Sequence, residues 1–116
     1  MKKVLLLSCL VLSATSFSSV ASADDMAQRI CEYVAANDKD RLRSYLKSSK
    51  IKIRSIYSDI KCNGQNILVF SGTNSALEVG EFILGQIPVS DVEASLPELA
   101  QNSKHLEAEA KKRIAK

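Results

Sequence analysis

Once the leading segment of this chain is read as removable, Cys31 and Cys62 are its only cysteines, and that pair narrows the folds open to it. Met1 to Ala23 has the three parts of a secretory signal. Lys2 and Lys3 form a short basic start. Val4 to Val20 carry no charge, and Val4 to Leu12 are almost wholly apolar. Ala21-Ser22-Ala23 then places small residues at the two positions a signal peptidase reads. Cleavage between Ala23 and Asp24 is expected. A membrane anchor needs about 20 apolar residues, and Ser13, Thr15, Ser16, Ser18 and Ser19 dilute this segment too early. Leu6-Leu7-Ser8-Cys9 offers the competing reading of a lipid-modification box. It leaves only Val4 to Ser8 as an apolar region, shorter than the usual 7 to 15 or so residues. On the cleavage reading Cys9 leaves with the signal.

The 116 residues less the 23 of the leader leave 93, one domain at most. A domain of this size buries a modest core and is marginal without a staple. Two cysteines in an oxidising compartment read as a disulfide. Closing a loop of about 32 residues is worth roughly 3 to 4 kcal/mol on the chain-entropy view. The alternative is a pair of unlinked buried thiols. A catalytic dithiol is disfavoured, because the Cys-x-x-Cys spacing that lets sulfurs exchange is absent.

The chain has 16 basic and 13 acidic residues, a net charge of +3; without Lys2 and Lys3 the balance is 14 against 13, or +1. The whole-chain value therefore overstates any general affinity for anions. There is no tryptophan and few other aromatics, which argues against a broad stacking surface. No second stretch is long and apolar enough to span a membrane, so a soluble mature protein with no transmembrane segment is expected.

The periodicity is helical. Met26, Ile30, Tyr33 and Val34 mark a first helix over 25–36. Asn37-Asp38 breaks it, and either residue can cap a second helix, Lys39 to Lys47, whose stripe is Leu42, Tyr45 and Leu46. Ile51 to Ile60 reads as an extended approach and then a short helical turn. Asn63-Gly64 signals a turn. The apolar run Ile67 to Phe70 precedes a helix through Leu77, Val79, Phe82, Ile83 and Leu84, with Gly85 as its stop. Ser90-x-x-Glu93 and Ser95-x-x-Glu98 both match a capping box, and Pro97 suits a first helical turn. The stretch from Glu98 to Ala115 is rich in Ala, Glu and Lys. Its thin stripe, Leu99, Leu106 and Ile114, predicts a helix that frays or docks weakly, with a partner-binding helix as the alternative.

Two stretches resemble each other at an offset of 37 positions: Ile30-Cys31 with Ile67-Leu68, Tyr33 with Phe70, Asn37 with Asn74, Leu42 with Val79, and Tyr45-Leu46 with Phe82-Ile83. The second copy, Gly64 to Leu84, resembles an ankyrin repeat, though Asn66-Ile67-Leu68-Val69 stands where that family has Thr-Pro-Leu-His. Two units fall short of the three or so a solenoid needs. A closer resemblance covers Asp24 to Pro88. Arg29-Ile30-Cys31 and Cys62-Asn63-Gly64, at this separation behind a signal sequence, resemble a family of short secreted bacterial proteins described as domain of unknown function 3718. That resemblance implies a periplasmic setting and a Cys31–Cys62 partnership. It implies no activity.

Little here points to catalysis. His105, the one histidine, sits among polar residues and reads as solvated. Without it no nucleophilic triad can be assembled, and there is no nucleophile elbow. Zinc needs four Cys or His ligands, or three and water, which this chain lacks, so no metal and no cofactor is expected. There is no phosphate-cradling glycine loop. Pairs such as Asp38 with Asp40, or Glu107 with Glu109, suit capping and solvation. The feature with functional content is the run Arg41, Arg43, Lys47, Lys50, Lys52 and Arg54, which contains no acid. It is either a solvated face or a surface for an anionic partner: envelope lipid phosphates, an acidic protein or a polyanion. Nucleic acid is disfavoured because no aromatics interleave the run.

The expected protein is mainly α: a small helical domain with a disulfide over 24–88, either two ankyrin-like helix pairs or an unrelated small helical fold, followed by a helical segment over 89–116. Its expected role is a periplasmic, non-catalytic binding module. A structural or stress-related envelope protein without a specific ligand and an enzyme of unrecognised type are the alternatives.

Overall fold

The computed structural model describes residues 22–116. The signal sequence expected over Met1–Ala23 falls outside them except for Ser22 and Ala23, which open the first helix.

Helix α1 (Ser22–Ala35) buries Ile30 and Val34 fully, as its spacing requires. The backbone then reverses through Asn37, at φ 55. Asp38 caps α2 (Lys39–Ser49) by accepting a hydrogen bond from the Arg41 N–H at 3.1 Å. Helix α2 stops where Lys50 enters the left-handed region at φ 57, and the Lys50 N–H reaches the Leu46 and Lys47 carbonyls. Lys52 is extended, and the short α3 (Ile53–Ile56) follows, matching the expected extended approach and helical turn.

The turn at Asn63-Gly64 closes a small hairpin that the sequence did not announce as strands. β1 (Lys61–Cys62) pairs antiparallel with β2 (Gln65–Asn66). Asn63 and Gly64 both have positive φ, 53 and 78, the mirror-image turn that suits strand twist. The hairpin delivers Cys62 to α1, where Cys31 and Cys62 form the disulfide with Cα atoms 5.7 Å apart.

Helix α4 (Ile67–Thr73) is the centre of the molecule. Ile67 through Gly72 are all buried, so this helix is apolar on every side and must be surrounded. It packs against α1, α5 (Leu77–Leu84), α6 (Val89–Asn102) and the hairpin. Asn66 caps it, accepting from the Val69 N–H at 2.8 Å.

The repeat appears as two helix pairs, α1–α2 and α4–α5. The first helices of the pairs pack together, and so do the second. The equivalent asparagines have different jobs. The Asn37 side chain accepts from the Val79 N–H at 3.0 Å, so the first turn caps α5 across the fold. The Asn74 side chain donates to the Phe70 carbonyl of its own helix.

After Ile87 the structure departs from the sequence reading. Helix α6 runs unbroken from Val89 to Asn102 with Pro88 before it, and neither serine of the two capping boxes caps it. Pro97 lies inside the helix rather than in its first turn. It deprives the Glu93 carbonyl of an N–H partner, a loss that packing must offset. Ser103 is the true cap of α7 (Lys104–Ala115), accepting from the Leu106 N–H. The carboxyl-terminal segment is also part of the core: Val92, Leu99, Leu106 and Ala110 are fully buried, against α4 and α5. A thin stripe suffices because its neighbours supply glycines. A Cβ on Gly80 would lie 2.5 Å from one Leu106 methyl and 2.8 Å from the other, and one on Gly72 would lie 3.2 Å from a Leu99 methyl. Arg113 closes the join, donating from Nε to the Leu84 carbonyl and from Nη2 to the Ile87 carbonyl, both at 3.1 Å.

Candidate functional site

The six basic residues of 41–54 are all exposed, but the fold divides them. Arg43 and Lys47 stand one turn apart on α2, and Lys52 comes from the segment after it. These three line a groove of about 540 Å³ with Asp40, Ser44, Leu46, Ile51, Ile53, Phe82 and Gln86. Arg41, Lys50 and Arg54 lie outside it. Arg41 is partly committed already, with Nε 3.5 Å from an Asp38 oxygen. Among the described residues no carboxylate lies within 4.0 Å of the charged nitrogens of the other five.

The groove exists because α2 ends early. The left-handed turn at Lys50 bends the chain away from the helix axis, and Ile53 re-enters the core at 2 % exposed. That leaves a trough between α2, the following segment and α5. Its apolar lining is what sequence reasoning missed. Phe82, one of the apolar positions that mark α5, is only half-buried, and the Arg43 guanidinium lies 5.9 Å from its ring centre. Such a contact steadies the cation over the aromatic face. Ile51 is likewise half-buried. No periodicity signal marks a residue that is half inside and half lining a groove.

His105 has a partner. Its Nε2 pairs with a Glu81 carboxylate oxygen across α5 and α7, and Glu109 brings a third candidate ligand atom, all three within 4.8 Å of one another. Each is only exposed or half-buried, and one Glu109 oxygen is already held by the Lys112 ammonium at 3.1 Å. The trio is geometrically able to take a divalent ion and is equally well described as a surface ion-pair cluster.

One polar network is buried. Tyr57 Oη and Ser95 Oγ share a hydrogen bond of 2.9 Å, and the Asn66 side chain donates to Ser95 Oγ at 3.0 Å. It joins the segment after α3, the hairpin and α6, which explains why Ser95 sits mid-helix instead of capping. Burial pushes the Tyr57 hydroxyl up to about 12, opposed by the Ser95 hydrogen bond and helped by the charges of Asp91 and Glu98. A hydroxyl with a raised folded-state pKa stabilises the fold fully below pH 10 or so, and that contribution disappears as pH rises through about 12. Chemical denaturation across pH 9 to 12 is expected to show stability falling in that window. Tyr57→Phe should cost about 1 kcal/mol at neutral pH and flatten the fall; an unchanged slope in the variant would place the titration elsewhere.

The fold and site define a small, disulfide-stapled helical domain with a mixed basic and apolar groove beside its second helix. Residues 30–94 match the family described as protein of unknown function (DUF3718), a match over more than half the chain, and the chain belongs to that family. The matched region holds both cysteines, the whole basic run and every residue lining the groove. Neither curated proteins nor solved structures give a match.

Proposed function

We propose that this protein is a non-catalytic binding module of the periplasm, exported by the Met1–Ala23 signal and holding an anionic partner on the α2 face. The observation that carries the reading is the gathering of Arg43, Lys47 and Lys52 around one groove, exposed and without carboxylate partners among the described residues. Surface cations are ordinarily solvated or paired in place. Three that are unpaired and converge on a concave site lined partly by apolar groups raise the local potential where a ligand can lose water. The Cys31–Cys62 disulfide is compatible with export. None of the described helices is long and apolar enough to cross a membrane.

Two measurements test this. Cell fractionation should recover the protein from the periplasm with Asp24 as its first residue; retention in the cytoplasm with the leader intact would overturn the export. Crosslinked capture from envelope extract should then compare the native protein with Arg43→Glu/Lys47→Glu/Lys52→Glu. A partner held by the first and lost by the second is the expected result. Identical background capture by both would remove the basic face from the function.

A further inference from the structure

We infer that the groove beside α2 takes an extended acidic peptide whose carboxylates fall on alternate residues, with an apolar side chain between them. This rests on the anionic-partner reading and specifies its occupant. The argument begins with spacing. Arg43 and Lys47 are four residues apart on α2, about 6 Å along the axis at 1.5 Å per residue. In an extended chain, side chains two residues apart leave the same face about 6.6 to 6.8 Å from each other. Carboxylates at positions i and i+2 of a bound strand therefore each meet one cation. The residue between them leaves the other face of the strand, where Phe82 of α5 and Ile51 of the segment after α2 are the half-buried apolar groups of the groove that it can meet.

The lining favours a peptide over a lipid chain. Leu46 and Ile53 are almost fully buried, at 6 % and 2 % exposed, so Ile51 and Phe82 supply most of the accessible apolar surface. That area suits one apolar side chain and is too small for an acyl tail to lie along. The charge pattern limits the acidic tract. Lys52 extends the cationic rim past the end of α2, whereas Asp40, on the first turn, repels a further carboxylate there. The groove thus matches two or three acidic positions interleaved with apolar ones.

The test is fluorescence polarisation with the purified, disulfide-intact protein and two labelled peptides of one composition, Glu-Leu-Glu-Leu-Glu and Leu-Leu-Glu-Glu-Glu. Vesicles containing phosphatidylglycerol are the third probe. The alternating peptide is expected to bind at least tenfold more tightly than its isomer. Lys47→Glu should weaken that binding tenfold or more. Arg54→Glu, the same charge change outside the groove, should weaken it no more than two- to threefold; both side chains are exposed, and unchanged thermal melts will show that both variants fold. Equal affinity for the two isomers overturns the inference while leaving the anionic-partner reading intact. Binding to vesicles but to neither peptide overturns it in favour of a lipid surface. Binding to none of the three overturns the inference and removes support from the reading beneath it.

Discussion

Replacing both disulfide cysteines, Cys31→Ala with Cys62→Ala, is expected to lower the unfolding free energy by about 3 to 4 kcal/mol. The estimate follows from the loop of about 32 residues that the bond closes in the unfolded chain. Against a total of about 5 to 15 kcal/mol for a typical domain, this is the largest effect any single cross-link here can have. The structural setting sharpens the expectation. Cys62 is 3 % exposed on a two-residue strand, and the hairpin is too short to be stable alone. Through Cys31 it is pinned to α1, and Asn66 of the same hairpin caps the central α4. Losing the bond loosens the hairpin and with it the start of α4, which packs against α1, α5, α6 and the hairpin itself. Urea titrations of the native protein, the double variant and the reduced native protein check this. The last two should coincide, well below the first; a difference of less than about 1 kcal/mol between native and variant would show that packing alone holds α1 to the hairpin.

Leu106→Ala is expected to cost about 2 to 5 kcal/mol, the range for emptying a fully buried leucine site that relaxes only in part. Leu106 is completely buried, and both its methyls point at the backbone of Gly80. The pair makes a sharper prediction than either residue alone. Gly80→Ala in the native protein drives its new methyl into Leu106 and should destabilise by about 1 to 3 kcal/mol through overpacking. In the Leu106→Ala background the clash with both leucine methyls is gone and only Ser71 Oγ, 2.9 Å from the new methyl, remains, so the second substitution should cost less there, and residues in contact commonly couple by about 0.5 to 3 kcal/mol. A four-member thermal or urea series reads the coupling directly. Strict additivity would mean that α7 does not seat on α5 through this contact.

The legible part of the fold was the part governed by periodicity and local chemistry. Met26, Ile30 and Val34 mark α1 by their spacing alone, and Asp38 announces the start of α2 because a carboxylate can take an N–H three residues on. Asn63-Gly64 declares its turn because both residues tolerate positive φ. The last third was less legible for a specific reason. Ser95-x-x-Glu98 with Pro97 has every local sign of a helix start, yet Ser95 is claimed by Tyr57 and Asn66 from other elements, and packing carries α6 straight through the proline. The thin stripe of α7 looks weak only when the partner is unknown, since a glycine opposite a leucine permits a close approach that the leucine's own segment cannot signal.

The candidate site divides the same way. The basic run was visible because charge is a property of residues, and its lack of acids is written in the order of the chain. Which cations act together was not. Arg43, Lys47 and Lys52 are grouped, and Arg41, Lys50 and Arg54 set apart, by where α2 ends and by Phe82 arriving from α5, some 30 residues downstream. The sequence by itself determined the helical class, the pair of cysteines available to link, and the stretch where positive charge would concentrate, because each depends on residue type and near-neighbour spacing. Only the tertiary structure decided that the carboxyl-terminal helices belong to the core, that His105 has an acidic partner, and that three cations and a half-buried phenylalanine share one groove. Those outcomes depend on contacts between elements far apart in the chain, which local spacing does not encode.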